Sequence, residues 1–173
     1  MAIRSTLCSI LIMVALAVPA HAFSFPQLFW PQKDMDSSSV NQPALAKKIL
    51  IASRDSDFKR ALVEKIKQVF KGDSVYIKCI GLTKLKNENA SVYQVIVLIN
   101  TCMGWDWDMA VNAFLKGKQD AANVIVLTTS ASGKWLPKKN AAHVDAIAGA
   151  SKKSDPGPVA EDIIKKIRNL MTR

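Results

Sequence analysis

The sequence has few of the residues that build disulfide scaffolds, metal sites and catalytic pairs. Its 173 residues include three cysteines and two histidines. A structural zinc site usually takes four Cys or His ligands, and nucleophilic catalysis by Ser or Cys needs a base beside the nucleophile. Glycine and proline number seven each, too few for collagen-like or low-complexity architecture. We therefore expect no metal site and assign no catalytic residues.

Acidic residues are also in the minority. The 24 Lys and Arg residues outnumber 14 Asp and Glu residues, for a formal net charge of +10, and 49% of the chain is hydrophobic. This composition is typical of a globular protein, and the length suits one domain plus a short segment. A basic protein favours acidic partners. Because no nucleic-acid-binding motif is present, we expect a small-molecule or anionic ligand, or a peripheral contact with an anionic membrane surface, and no nucleic acid.

The amino terminus has the pattern of an export signal. Arg4 is its single charge, and residues 7–18 form an apolar run of 12 residues, whereas spanning a bilayer takes about 20. A small-x-small sequence follows at 20–22, as at a signal-peptide cleavage site. We predict a signal peptide over 1–22 and an exported protein, periplasmic or extracellular. An uncleaved anchor and a buried N-terminal helix are the alternatives.

Residues 23–46 show neither helical nor strand periodicity. The first part of this segment is aromatic and punctuated by proline, and the second part is polar. We predict a flexible linker over 23–46. The aromatic side chains of Phe25, Phe29 and Trp30 either contact a membrane or partner or lie as a strap across an apolar patch of the domain.

From residue 47 the pattern becomes regular and predicts one α/β domain over 47–173. Short apolar runs, typical of strands buried on both faces, lie at 49–52, 75–80, 93–99, 124–127 and 144–148. Apolar residues at helical spacing lie at 58–70, 107–115 and 159–170. Alternating strands and helices indicate a doubly wound, three-layer fold with a parallel five-stranded sheet. The second and fourth connections are barely long enough for a crossover, so we expect the second and fourth helices to be short or absent.

In its element order and its strand endings, the region 47–173 resembles the flavodoxin-like fold family. The resemblance rests on KILIAS at 48–53 as first strand and turn, and on NTCMGW at 100–105 and TTSASGKW at 128–135 as the polar ends of strands three and four. It implies a strand order of 2-1-3-4-5 and a ligand crevice at the carboxyl ends of the strands. It also implies flavin mononucleotide (FMN) as cofactor, held by its phosphate after strand one and by its ring after strands three and four.

The residues that the resemblance assigns to this cofactor site share one edge of the predicted sheet. They are Ser53, Arg54, Ser56, Thr101, Cys102, Gly104, Trp105, Thr128, Thr129, Ser130, Gly133 and Trp135. The phosphate loop departs from the family's hydroxyl-x-Thr-Gly-x-Thr pattern, since it lacks the glycine. Asp55 and Asp57 would each repel a phosphate by about 1 kcal/mol at contact range, and Arg54 or Lys59 would offset this only in part.

Two functions are compatible with this pattern. The first is a divergent flavin- or quinone-linked electron-transfer site. The second is a cofactor-free module that binds an anionic ligand or an envelope surface. Trp105 and Trp135 do not decide between these two functions. Each side chain would either stack on a planar ligand or cover the core where a helix is missing. The loop at 128–134, with its hydroxyls and glycine, is either an anion nest or an ordinary solvated loop.

The remaining reactive residues are expected to lie apart. With strand one between them, Cys79 and Cys102 would be about 10 Å apart, beyond the roughly 7 Å that a disulfide allows between Cα atoms. We therefore predict free thiols. His143 should lie at the opposite edge of the sheet from Cys102, which prevents a Cys–His dyad. Asp55 and Asp106 are expected as helix caps, with a carboxylate pair across the crevice as the alternative.

Overall fold

The computed structural model describes residues 32–116, 118, 120–136, 144–150 and 155–173. They form an α/β fold whose elements are the strands β1 (Ser38–Val40), β2 (Lys47–Ser53), β3 (Val75–Gly81), β4 (Val95–Thr101), β5 (Val124–Ser130) and β6 (Asp145–Ala150), and the helices α1 (Asp57–Val69), α2 (Met109–Leu115) and α3 (Gly157–Met171). The predicted signal peptide, the aromatic residues Phe25, Phe29 and Trp30, and His143 lie outside the described residues.

The sheet has six strands in the order β1-β3-β2-β4-β5-β6. All neighbouring strands are parallel except β1, which runs antiparallel to β3. The sheet differs from the expected five-strand order, because β1 is an additional strand at one end of it. This strand covers the hydrogen-bonding edge that β3 would otherwise expose. Three residues, Ser38 to Val40, are too short a stretch to show the alternation that predicts a strand.

Residues 32–46 are the described part of the predicted linker over 23–46. Residues 32–35, which we call the strap, cross the end of β2 and hydrogen-bond to its backbone. The Met35 amide donates to the carbonyl of Ser53 at 3.1 Å, and the Asp55 amide donates to the carbonyl of Lys33 at 2.7 Å. Met35 is buried in the core. Residues 32–40 are therefore an ordered part of the domain, held by backbone pairing rather than by an apolar pattern.

The central strands β2, β4 and β5 are buried along most of their length, as parallel strands covered on both faces are. One face packs against α1 and α3, where the side chains of Leu62, Ile66 and Ile163 meet the sheet. The other face packs against α2 and the turns that follow β3, through Leu85, Trp107 and other apolar residues. The sheet therefore lies between two hydrophobic layers.

The second crossover contains no α-helix, since it consists of the 3-10 turns Leu82–Asn87 and Ala90–Val92. The fourth connection includes residues 137–143, which lie outside the described part of the chain. The cap of α1 is Ser56, which accepts a hydrogen bond from the Lys59 amide, rather than the expected Asp55. The prediction for α2 is wrong in detail, since the helix begins at Met109 and its cap is Asp108 rather than Asp106.

Candidate functional site

Parallel strands bring their carboxyl ends to one edge of the sheet, which we call the carboxyl edge. The predicted residues at the ends of β4 and β5 meet there, with the Oγ1 atoms of Thr129 and Thr101 3.4 Å apart. The Thr129 hydroxyl donates to the carbonyl of Asn100 at 3.1 Å. Thr128 accepts a hydrogen bond from the Asn100 side chain at 3.2 Å, and its role is to order the buried strand ends. Ser53, at the end of β2, is buried and donates to the carbonyl of Arg54 at 2.7 Å.

Arg54 is bound by two carboxylates of its own chain. Its Nε and Nη2 atoms donate to the two oxygens of Asp108 at 2.8 and 3.0 Å, and Nη1 donates to Asp34 of the strap at 2.6 Å. Such a two-pronged pair is among the stronger hydrogen-bonded arrangements in proteins. Arg54 therefore joins the strap, β2 and α2, and its charge is matched internally.

The loop after β2 does not fit the phosphate of FMN. The Asp55 amide, which would face a phosphate, is bonded to the strap. Burial raises the pKa of Asp55, but hydrogen bonds from Arg60 and Lys33 outweigh it and lower the pKa below the usual value. The carboxylate is therefore ionised at the place where a phosphate would bind. The Ser56 hydroxyl caps α1.

The loop after β4 forms a tight turn, Met103 to Asp106, closed by a hydrogen bond of 3.2 Å from the Met103 amide to the Asp106 carbonyl. Gly104 and Trp105 both have positive φ, at 64° and 63°. The Trp105 side chain is 83% exposed, so it does not cover the core. Cys102 precedes the turn and is half-buried; burial raises the pKa of its thiol, which keeps it protonated near neutral pH.

The loop after β5 satisfies its own polar groups. The Gly133 amide donates to the Ser130 hydroxyl at 3.1 Å, and the Lys134 amide donates to Ser132 at 3.3 Å. An anion nest needs such amides to face outward, so the solvated-loop interpretation is favoured. Trp135 is half-buried and packs against the core layer that contains Trp107. Of the two tryptophans left open by the sequence, Trp135 therefore covers the core and Trp105 does not.

A buried lysine at this edge was absent from the predicted site. Lys59 lies in the first turn of α1, is 2% exposed, and donates from Nζ to Oγ1 of Thr101 at 2.6 Å. Among the described residues, this hydroxyl is the one hydrogen-bond acceptor of the ammonium group, and no carboxylate lies within 4.0 Å of it. Burial lowers the pKa of Lys59 to about 8, with Asp108 opposing and Arg54 assisting. The amine is thus mostly protonated at neutral pH.

The sequence carried a signal for this burial. Residues 59, 62, 63 and 66 follow the i, i+3, i+4, i+7 spacing of a buried helix stripe, and the last three are apolar core residues. Lys59 occupies the first position of that stripe. A lysine in such an apolar stripe predicts a buried ammonium group, which is rare in folded proteins unless the group is paired.

Asp55 and Asp106, the two carboxylates considered as a pair across the crevice, have separate hydrogen-bond partners. Asp55 binds Arg60 and Lys33, whereas Asp106 accepts hydrogen bonds from the Trp107 amide at 2.7 Å and from Asn112. Within the described ranges, no group of three or more His, Cys, Asp or Glu residues is arranged to bind a metal ion. Cys79 and Cys102 are both free.

The carboxyl edge is thus divided in two. The strap covers the half above β2 and β3, while the half at β4 and β5 holds Lys59, Thr101 and Thr129. Among the helices that the structure describes, none is long and apolar enough to cross a membrane. No protein-family model and no curated protein matches this chain.

Proposed function

We propose that this chain is an exported, cofactor-free binding domain of flavodoxin-like architecture, which takes a small anionic ligand at the carboxyl edge beside Lys59. The single observation that carries the proposal is the buried Lys59 ammonium group with one acceptor, Thr101. An ammonium group has three protons to donate and no acceptor. A buried charge is costly unless it is paired. The ammonium group of Lys59 can therefore accommodate a further acceptor, and a negatively charged oxygen would stabilise it most.

The neighbouring hydroxyls support the same ligand chemistry. The contact of 3.4 Å between Thr129 and Thr101 is longer than the 2.7–2.8 Å typical of hydroxyl hydrogen bonds. Since Thr129 donates to a backbone carbonyl, the proton of Thr101 is available to an incoming oxygen. Two donor side chains, Lys59 and Thr101, therefore converge. Carboxylate and phosphate oxygens are the acceptors that form strong, charge-assisted bonds with such donors.

The carboxylates near the site do not oppose an anion strongly, because each is paired. Asp108 is bound by Arg54, and Asp55 by Arg60 and Lys33. The whole chain carries a formal charge of +10, which raises the local concentration of anions at its surface. These features favour a ligand of one or two negative charges and modest size.

The second candidate is the flavin- or quinone-linked electron-transfer site. One observation favours it, the exposure of Trp105 at the carboxyl edge, where an aromatic face can stack on a planar ring. The loop after β2 argues against a flavin nucleotide but not against a quinone, which has no phosphate. The absorbance spectrum of protein purified from its native compartment separates the candidates. Bound flavin absorbs visible light, a bound quinone has an ultraviolet band that changes on reduction, and a simple anion shows neither.

The test of the leading proposal is anion binding measured by thermal unfolding and calorimetry. Inorganic phosphate and a simple dicarboxylate are titrated at pH 7, against sodium chloride of equal ionic strength. We expect either anion to raise the midpoint temperature, because a ligand that binds only the folded state stabilises it. Lys59→Met should abolish the effect, whereas Lys65→Met, an exposed lysine of the same helix, should preserve it. Equal responses in the two variants would refute the proposal.

A further inference from the structure

The turn formed by Met103, Gly104, Trp105 and Asp106 presents a tryptophan to solvent in an unusual way. Its two central residues have positive φ, as a type I′ turn requires. The second of these positions favours glycine or asparagine, and a bulky side chain rarely adopts it. The side chain held there, Trp105, is nevertheless 83% exposed. Exposed residues in such conformations are concentrated at functional sites.

The turn is fixed to the domain on both sides. The Asp106 carboxylate accepts hydrogen bonds from the amide of Trp107 at 2.7 Å and from the side chain of Asn112 on α2 at 3.2 Å. The side-chain amide of Gln32 donates to the sulfur atom of Met103 at 3.4 Å. The turn therefore holds Trp105 as a rigid projection, which loses little conformational freedom on contact with a partner.

The surroundings of the turn indicate what that partner is. Gln32 lies at the base of the turn, and residues 1–31, which precede it in the sequence, lie outside the described part of the chain. The part of that segment that remains after cleavage of the predicted signal peptide includes the aromatic residues Phe25, Phe29 and Trp30. Exposed Leu136 and Lys134 follow β5 at the same edge, and Lys33 on the strap, although it pairs with Asp55, has a side chain that is 71% exposed. An edge that exposes tryptophan, lysine and leucine side chains has the composition of surfaces that bind membrane–water interfaces.

We infer that the carboxyl edge docks on an anionic lipid surface, with Trp105 inserted at the headgroup level. The net charge of +10 supplies long-range attraction to such a surface, and the aromatic ring supplies the local apolar contact. This inference is independent of the anion site at Lys59, because it uses a different side chain and a different partner.

The test is partition of the mature chain, without the predicted signal peptide, onto lipid vesicles, followed by co-sedimentation. Vesicles of phosphatidylcholine alone are compared with vesicles that also contain phosphatidylglycerol. We expect binding to the anionic vesicles, weakened by salt, and a loss of about tenfold in the partition coefficient for Trp105→Ser, since the variant removes a large apolar contact. Trp105→Phe should retain most of the binding. Val92→Ser is the matched control, because Val92 is exposed but precedes β4, at the opposite edge of the sheet.

Fluorescence shows whether Trp105 itself enters the lipid. The difference spectrum between the native chain and Trp105→Phe isolates its emission, which should shift to the blue and be quenched by brominated acyl chains in anionic vesicles. Three outcomes would overturn the inference. Trp105→Ser could bind as well as the native chain, which would mean that another part of the chain carries the binding. Trp105 emission could be unchanged by lipid, or the protein could bind neither kind of vesicle.

Discussion

Lys59 is a single residue that affects both the stability of the fold and the charge at the carboxyl edge. It occupies a helix position whose neighbours on the stripe, Leu62, Val63 and Ile66, are core residues. Burial lowers its pKa from 10.5 to about 8, which corresponds to a cost of about 3 kcal/mol for keeping the ammonium charged inside the fold. An apolar residue would avoid that cost. Residues that lower stability at a site of this kind are characteristic of function.

The first prediction at this scale concerns Lys59→Met. The variant should raise the free energy of unfolding at pH 7 by about 2 kcal/mol, because it removes a desolvated charge and keeps the volume of the side chain. Between pH 8 and 10.5 the folded native protein binds fewer protons than the unfolded chain, so its stability should rise with pH in that window. The variant should lack this rise.

Urea unfolding at pH 7, 9 and 10 measures both effects. Lys65→Met serves again as the control, since an exposed lysine keeps its ordinary pH response. A variant Lys59→Met that is less stable than the native protein at pH 7 would contradict the interpretation, because it would mean that the ammonium is fully compensated inside the fold. Binding of the anion should follow the opposite course to stability, and weaken above pH 8 as the amine loses its proton.

At the scale of elements, the strap decides which part of the carboxyl edge is open. Asp34 bonds to Arg54 on one side and to the amide of Thr83 at 3.0 Å on the other. It lies directly against Gly81, where an added Cβ atom would be 2.5 Å from the Asp34 side chain. The strap thus depends on a glycine at the end of β3, and it fills the region where a flavin phosphate would otherwise approach.

We predict that Gly81→Ala displaces the strap and lowers the free energy of unfolding by about 2 kcal/mol, because the clash breaks the bonds that Asp34 makes. The same substitution should cost much less in an Asp34→Gly background, where the clashing side chain is absent. Chemical unfolding of the two single variants and the double variant forms a double-mutant cycle. Additive costs would show that Gly81 is required for a reason other than the strap.

At the scale of the whole molecule, the sheet keeps its reactive groups apart. Cys79 lies in β3, buried in the core, and burial raises the pKa of its thiol to about 11. Cys102 lies beyond β4 and is half-buried. Strand β2 separates the two, so the fold itself prevents a disulfide between them even in an oxidising compartment.

We therefore predict that a reducing agent leaves the thermal unfolding of the protein unchanged. In the native state at pH 8, a thiol reagent should modify Cys102 slowly and leave Cys79 unmodified until the protein unfolds, because the thiolate is the reactive form and burial suppresses it at both positions. Mass spectrometry of the labelled peptides measures each site. A peptide that links Cys79 to Cys102 would contradict the strand order.

The α/β class and most elements of this fold followed from local patterns. Continuous apolar runs predicted β2 to β6, and helical spacing predicted α1 to α3, because burial on one or two faces dictates the period of apolar residues. The shortness of the second crossover was likewise visible in its length. The predicted grouping of Thr101 with Thr129 needed only the parallel direction of neighbouring strands.

The tertiary structure alone decided which groups the carboxyl edge presents. Pairing of β1 with β3, the path of the strap and the partners of Arg54 depend on contacts between residues distant in the chain, which leave no periodic signal. The same contacts close the expected phosphate loop, bury the amine of Lys59 against Thr101, and leave Trp105 exposed. The amino-acid sequence by itself determined where strands and helices form, because that depends on neighbouring residues. Long-range packing determined which polar groups of the carboxyl edge are matched by partners of opposite charge, and the proposed ligand site depends on that distribution.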